Sequence, residues 1–138
     1  MTTTLKDKEK KNVVDFIPEL SETARRKNWV SHYDSENDSF AIHAPKLSRD
    51  AEKKYINDEF AFYFGRHGEV EGVFIEYFMS NFIAHHKDFL EVKKDLRKQI
   101  SRNGTIELPK RKTRKLAVEL EGAIIDSLIP NRPVERTA

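Results

Sequence analysis

Hydrophobic residues recur every three or four positions near both ends of this chain and every second position through its middle, so helices are predicted to flank a sheet. Near the start, Val13, Phe16, Ile17, Leu20 and Ala24 share a helical stripe that Pro18 interrupts, which predicts one or two short helices. Thr4-x-x-Asp7 ahead of them has the form of a capping box. Trp29 opens a strand through Val30, His32 and Tyr33, followed by an acidic turn and a second strand through Phe40 and Ile42 that Pro45 ends. Residues 46–58 are polar and read as a helical turn or an irregular loop. Residues 59–64 and 69–78 alternate strongly and read as a hairpin about Gly65-Arg-His-Gly68.

The alternation in that hairpin is apolar on both sides. Phe60, Phe62 and Phe64 share one face, and Val73, Ile75 and Tyr77 share one face of the next strand, while Tyr63, Phe74 and Phe78 fall opposite. Such a sheet needs cover on both faces. One cover is expected to be a helix of this chain; the N-terminal segment, the C-terminal helix and a second molecule are the candidates for the other.

Residues 80–102 then read as the principal helix, with Phe82, Phe89, Val92, Leu96 and Ile100 on one stripe and Asn103-Gly104 as its stop. A short extended stretch, residues 105–108, closes at Pro109. A second amphipathic helix over about residues 113–129 carries Leu116, Leu120, Ala123, Ile124 and Leu128 on one face. The expected fold is α+β: an antiparallel β-meander of about four strands packed on a long helix, with a basic linker and a C-terminal amphipathic helix. The chain divides into a charged helical lead-in (1–28), a meander-plus-helix core (29–104) and a linker, helix and tail (105–138).

Charge sharpens this picture. The formal net charge of +2 conceals a segregation: residues 29–86 hold 5 basic and 10 acidic side chains, and residues 87–115 hold 11 basic and 4 acidic. The basic run Lys110, Arg111, Lys112, Arg114 and Lys115, extended onto the main helix by Lys94 and Lys98, is the candidate site for nucleic acid or another polyanion, because closely spaced cations release counterions from phosphates. Leu116, Leu120, Ile124 and Leu128 are the candidate partner-binding stripe, with packing on the chain's own core as the default. The absence of cysteine rules out disulfides and thiolate chemistry. No apolar run nears the roughly 20 residues that span a bilayer, and no signal-like segment is read, so no membrane and a cytoplasmic location are expected.

Catalytic patterns are weak. His85-His86-x-Asp88 holds adjacent histidines that a helix points about 100° apart, which suits one metal ion poorly. Asp34, Glu36 and Asp38 alternate like the start of a calcium loop, but Ser39 and Pro45 stand where glycine and glutamate are needed. Gly65-Arg-His-Gly68 joins two strands and lacks the phosphate-loop pattern. No metal or cofactor is expected, and the chain is read as a non-enzyme.

Tyr33-Asp34-Ser-Glu36-Asn-Asp38-Ser-Phe40-Ala-Ile42 and Gly68-Glu-Val-Glu-Gly72-Val73-Phe-Ile75 together resemble the opening and closing pieces of small β-meander domains of the domain-of-unknown-function family twenty-two eighty-three. The resemblance covers Tyr33 to Phe78, about a third of the chain. It implies a non-enzymatic companion, sometimes encoded beside toxin-like ribonucleases, and carries no catalytic residue. This sequence departs from the family in its non-acidic hairpin turn, its long 46–58 insert and its added flanks. The expected function is therefore an interaction protein of antitoxin or regulatory-adaptor type that binds a partner protein, such as a toxin or a larger assembly, through its flanks and sheet. A homodimer fits the same pattern. The alternatives are a stand-alone nucleic-acid-binding module and, behind it, a small metal-dependent nuclease using His85 or His86.

Overall fold

The computed structural model describes residues 5–99 and 104–128. Helix α1 (Asp7–Phe16) starts where the Lys6 N–H donates to the Glu9 carboxylate at 2.9 Å; Asp7 and Glu9 also sit well at the positive end of the helix dipole. Thr4, the predicted cap, lies outside the described residues. Pro18 cannot continue the hydrogen-bond ladder, so the chain tightens into a 3-10 turn, Ile17–Glu19, before α2 (Leu20–Arg26). Asn28, at φ 53°, closes α2, and the Trp29 N–H donates back to the Ala24 carbonyl at 2.9 Å.

Six strands follow: β1 (Val30–Asp34), β2 (Ser39–His43), β3 (Glu52–Tyr55), β4 (Phe60–Phe64), β5 (Val70–Ile75) and β6 (Thr105–Glu107). They form one sheet in the order β3-β4-β5-β2-β1-β6, with every neighbouring pair antiparallel. The α+β class and the antiparallel sheet agree with the sequence reading. The two additional strands are those whose side chains do not alternate legibly: β3 lies in the polar 46–58 segment, and β6 is three residues long. The order also departs from a simple meander. Strand β2 pairs with β5, so the chain between β2 and β3 travels from mid-sheet to the far edge.

Register decides which side chains share a face. Tyr33, Phe40, Ile75 and Phe60 line up across β1, β2, β5 and β4, with Ile42, Val73 and Phe62 in the next row. All are buried, and they form one hydrophobic cluster with Val13, Ile17, Leu20, Phe82, Leu96, Leu116, Leu120 and Ile124. The lead-in, the middle and the C-terminal helix thus share a single core on one side of the sheet. The opposite face carries His32, His43, Tyr55, Tyr63 and Phe74, all half-buried and none belonging to that cluster. Of the expected covers, the N-terminal helices and the C-terminal helix both go to the same side, and no described helix packs on the other. Gly72, on that second face, is required by close approach: a Cβ there would lie 2.4 Å from the Cβ of His43.

The predicted single helix over 80–102 is broken. Tyr77 takes a left-handed φ of 51°, and the chain then winds through a π turn, Phe78–Phe82, the short α3 (Ile83–His85), a 3-10 turn, Lys87–Phe89, and α4 (Leu90–Arg97). A regular helix would aim Phe82 and Ile83 about 100° apart; the irregular path buries Phe78, Phe82, Ile83 and Phe89 together. This reversal also corrects the assignment of Phe78 to the second face, because Phe78 turns into the core and stacks on Phe40 at 4.6 Å between ring centres. Ile100 and Asn103 lie outside the described residues. The predicted basic linker is helical: α5 (Lys110–Leu128) begins directly after Pro109 and includes the whole basic run. None of the described helices is long and apolar enough to cross a membrane.

Candidate interaction surfaces

Helices α4 and α5 run antiparallel at the basic end of the molecule, and that arrangement divides the predicted cation site. Lys112 pairs with Asp95, and Lys115 with Glu91 at 2.9 Å. Hydrogen bonding to these lysines holds both carboxyls below their ordinary values. Lys110, Arg111, Arg114, Lys94 and Lys98 are exposed and make no ion pair among the described residues. The first turn of α5 holds no acidic residue, so its dipole and its cations add in sign. Arg102 lies outside the described residues.

The predicted partner stripe has another use. Leu116, Leu120 and Ile124 are fully buried in the chain's own core, and Leu128 is half-buried against it. Thr113 on the same helix shares a buried 2.6 Å hydroxyl–hydroxyl hydrogen bond with Ser31 on β1. Ser21 of α2 donates through its N–H and its hydroxyl to Glu121, at 3.0 and 3.1 Å. These contacts fix α5 to the sheet and to α2. The partner assignment for the stripe is replaced by own-core packing, since a stripe already covered presents nothing to a partner.

The histidines diverge. His85 Nδ1 donates to the Asn81 carbonyl at 2.9 Å, whereas His86 stacks on Phe82 at 4.1 Å and reaches Glu59 at 3.0 Å. No group of three or more potential ligands among the described residues is placed to hold a metal ion. In the acidic turn, Asp34 accepts the Glu36 and Asn37 N–H groups, and Asp38 turns inward. The Asp38 carboxylate accepts the Met79 N–H at 2.8 Å, the Ser80 N–H at 3.1 Å, and the Ser80 and Tyr33 hydroxyls at 2.7 Å each. Burial acts to raise its pKa, but these donors outweigh burial and hold it below the ordinary carboxylate range. The turn is a clasp between the first hairpin and the π turn, not a calcium loop.

The uncovered face of the sheet is the one for which the sequence reading named a second molecule among the candidate covers, without saying which residues would meet it. Its aromatic rings form a row: His32 to His43 at 5.2 Å, His43 to Tyr63 at 6.1 Å, and Tyr63 to Phe74 at 6.4 Å between centres. The Lys53 ammonium lies 3.7 Å over Phe74 and 6.0 Å from Tyr55, whose hydroxyl donates to Glu76. Burial, together with His43, holds the His32 pKa below its ordinary value, against the pull of Glu107 and Asp34. At one end lies a cleft of about 430 Å³ lined by Asp34, Asn37, Ser39, Lys53, Phe74, Glu76 and Tyr77. Tyr77 is 62% exposed. The available signal was the alternation itself, which put Tyr63 and Phe74 opposite the core row.

Comparison with protein-family models, with curated proteins and with solved structures finds no match.

Proposed function

We propose that this chain is a non-enzymatic interaction protein, of the antitoxin or regulatory-adaptor type, that docks a partner protein on the uncovered face of its sheet. One observation carries the reading: every described helix packs on one side, leaving Tyr55, Tyr63 and Phe74 at the surface of the other. A row of half-buried aromatics is the composition found at the centre of protein interfaces. The antitoxin type rests on the family resemblance over residues 33–78, a stretch that holds the end of β1 and strands β2 to β5.

The test is isolation of the tagged chain from its native host, with nuclease, beside a Tyr63→Ser/Phe74→Ser double variant. A stoichiometric protein partner should survive nuclease with the unaltered chain and be lost from the variant. Equal recovery by both would overturn the reading.

A second reading is favoured by the exposed cations of α4 and α5: nucleic-acid binding at that end. Lys110, Arg111 and Arg114 are the side chains to neutralise, because Lys112 and Lys115 are already paired. Changing these three to glutamine should flatten the salt dependence of single-strand binding by about 2 in log K against log salt. Unchanged affinity removes this reading.

A further inference from the structure

Resting on the sheet-face reading above, we propose that the partner segment seated there is cationic, a lysine- or arginine-bearing stretch of protein laid along the aromatic row, with its charged heads directed to the carboxylates of Asp34 and Glu76 at one end of the face and of Glu107 at its β6 edge. Charge is the first argument. Among the described residues the face carries those three carboxylates and a single cation, Lys53. The rest of this chain is net basic, so the acidic character is local to this face.

The second argument is that the face already holds a cation. Lys53 sits 3.7 Å from the centre of the Phe74 ring, within the range where an ammonium is attracted by the ring quadrupole. Glu76 is steadied beside it by the Tyr55 hydroxyl. The neighbouring Tyr63 ring has no cation over it among the described residues, and it meets Phe74 in a T-shaped pair. A second long cationic side chain laid along the row therefore meets an aromatic surface on one side and carboxylates at the rim. The cleft of about 430 Å³ between Asp34, Glu76 and Tyr77 is open for a third.

Two other occupants fit less well. A single-stranded nucleic acid could stack its bases on these rings, but its phosphates would then pass the three carboxylates, and among the described residues the face offers one lysine to neutralise them. A second copy of this chain presents the same acidic rim to itself. An extended basic segment needs only the row and the cleft.

The experiment is a titration of the isotope-labelled full chain, followed by amide chemical shifts. Three probes are compared: a twelve-residue peptide alternating arginine and serine, its glutamate–serine counterpart and a twelve-residue oligothymidylate. The arginine peptide should shift residues of β1, β2, β4 and β5 on the uncovered face. Its affinity should fall at least tenfold with Glu76→Gln combined with Asp34→Asn, and again with Phe74→Ala, while Lys110→Gln/Arg111→Gln/Arg114→Gln leaves it in place. Preference for the glutamate peptide or the oligonucleotide on this face, shifts confined to other surfaces, or an affinity indifferent to the Glu76 and Asp34 changes would overturn the proposal. If the arginine peptide fails but Tyr63→Ser/Phe74→Ser still strips a native partner, the cationic class is wrong and the docking face stands. If that partner is also retained, the underlying reading falls with it.

Discussion

Replacing Phe78 with alanine is expected to lower the free energy of unfolding by about 4 kcal/mol, whereas Phe74→Ala is expected to cost about 1 kcal/mol or less. The two phenylalanines stand four positions apart and read alike in sequence. Phe78 is completely buried and touches four other rings, stacking on Phe40 at 4.6 Å and Phe82 at 5.6 Å and meeting Phe89 at 6.3 Å and Tyr33 at 6.0 Å. Its removal leaves a cavity at the junction of β2 with the winding segment after β5, and the Asp38 clasp, which bonds Phe78, Met79 and Ser80, keeps the backbone from collapsing into it. Phe74 faces away from the cluster, so its loss removes its ring contacts with Tyr63 and Lys53 and opens no cavity in the core. Urea unfolding of the two variants at neutral pH measures the contrast. Equal costs would mean that the second face is as well packed as the first, and the docking reading would lose its basis.

What the sequence made legible follows the strength of each local pattern. Helix α5 was readable because Leu116, Leu120 and Ile124 keep helical spacing through a long segment, and the hairpin β4–β5 because its aromatics alternate. Strand β3 was not, because Glu52, Lys53 and Lys54 look like loop residues until β4 pairs with them. The pairing of two cations of the basic run, Lys112 and Lys115, is tertiary: Asp95 and Glu91 come from another helix, in reverse order, and no spacing rule in one sequence announces that. The candidate face was half-legible. Alternation put Tyr63 and Phe74 opposite the core row, yet which face the helices would choose depends on all of them docking together. His32 and His43 join the row only through the β1–β2 register, which brings diagonal neighbours within reach.

The least legible feature is a buried ion pair that ties the first helix to the edge strand, and its loss should be nearly as costly as that of Phe78. Glu9→Ala is expected to destabilise the chain by about 3 kcal/mol, because it leaves a largely buried lysine ammonium without its main partner. Lys54 Nζ donates to both oxygens of Glu9, at 3.0 and 2.9 Å, and the two residues are 5% and 8% exposed. Glu52, 3.7 Å from the same ammonium, is mostly exposed and offers a weak substitute. Changing both partners to apolar residues of similar size, Glu9→Leu with Lys54→Met, should restore most of the loss, since a buried pair gains little over well-packed hydrocarbon. The pH dependence has a definite sign. Burial acts to raise the Glu9 pKa, but Lys54 and the Lys6 N–H outweigh it, so the folded value lies below the ordinary 4.5. The unfolded chain therefore binds the proton first as pH falls, and the stabilisation from Glu9, complete above about 4.5, drains away as pH drops through the folded value. The Lys54 pKa is raised above 10.5, chiefly by its hydrogen bonds to Glu9, so its contribution is complete below that value and is lost as pH climbs through the raised one. Urea midpoints between pH 3 and 7 should fall with acid more steeply for the unaltered chain than for the Glu9→Leu/Lys54→Met variant. Parallel curves, or a Glu9→Ala cost below 1 kcal/mol, would mean that α1 does not hold the β3 edge through this pair in solution.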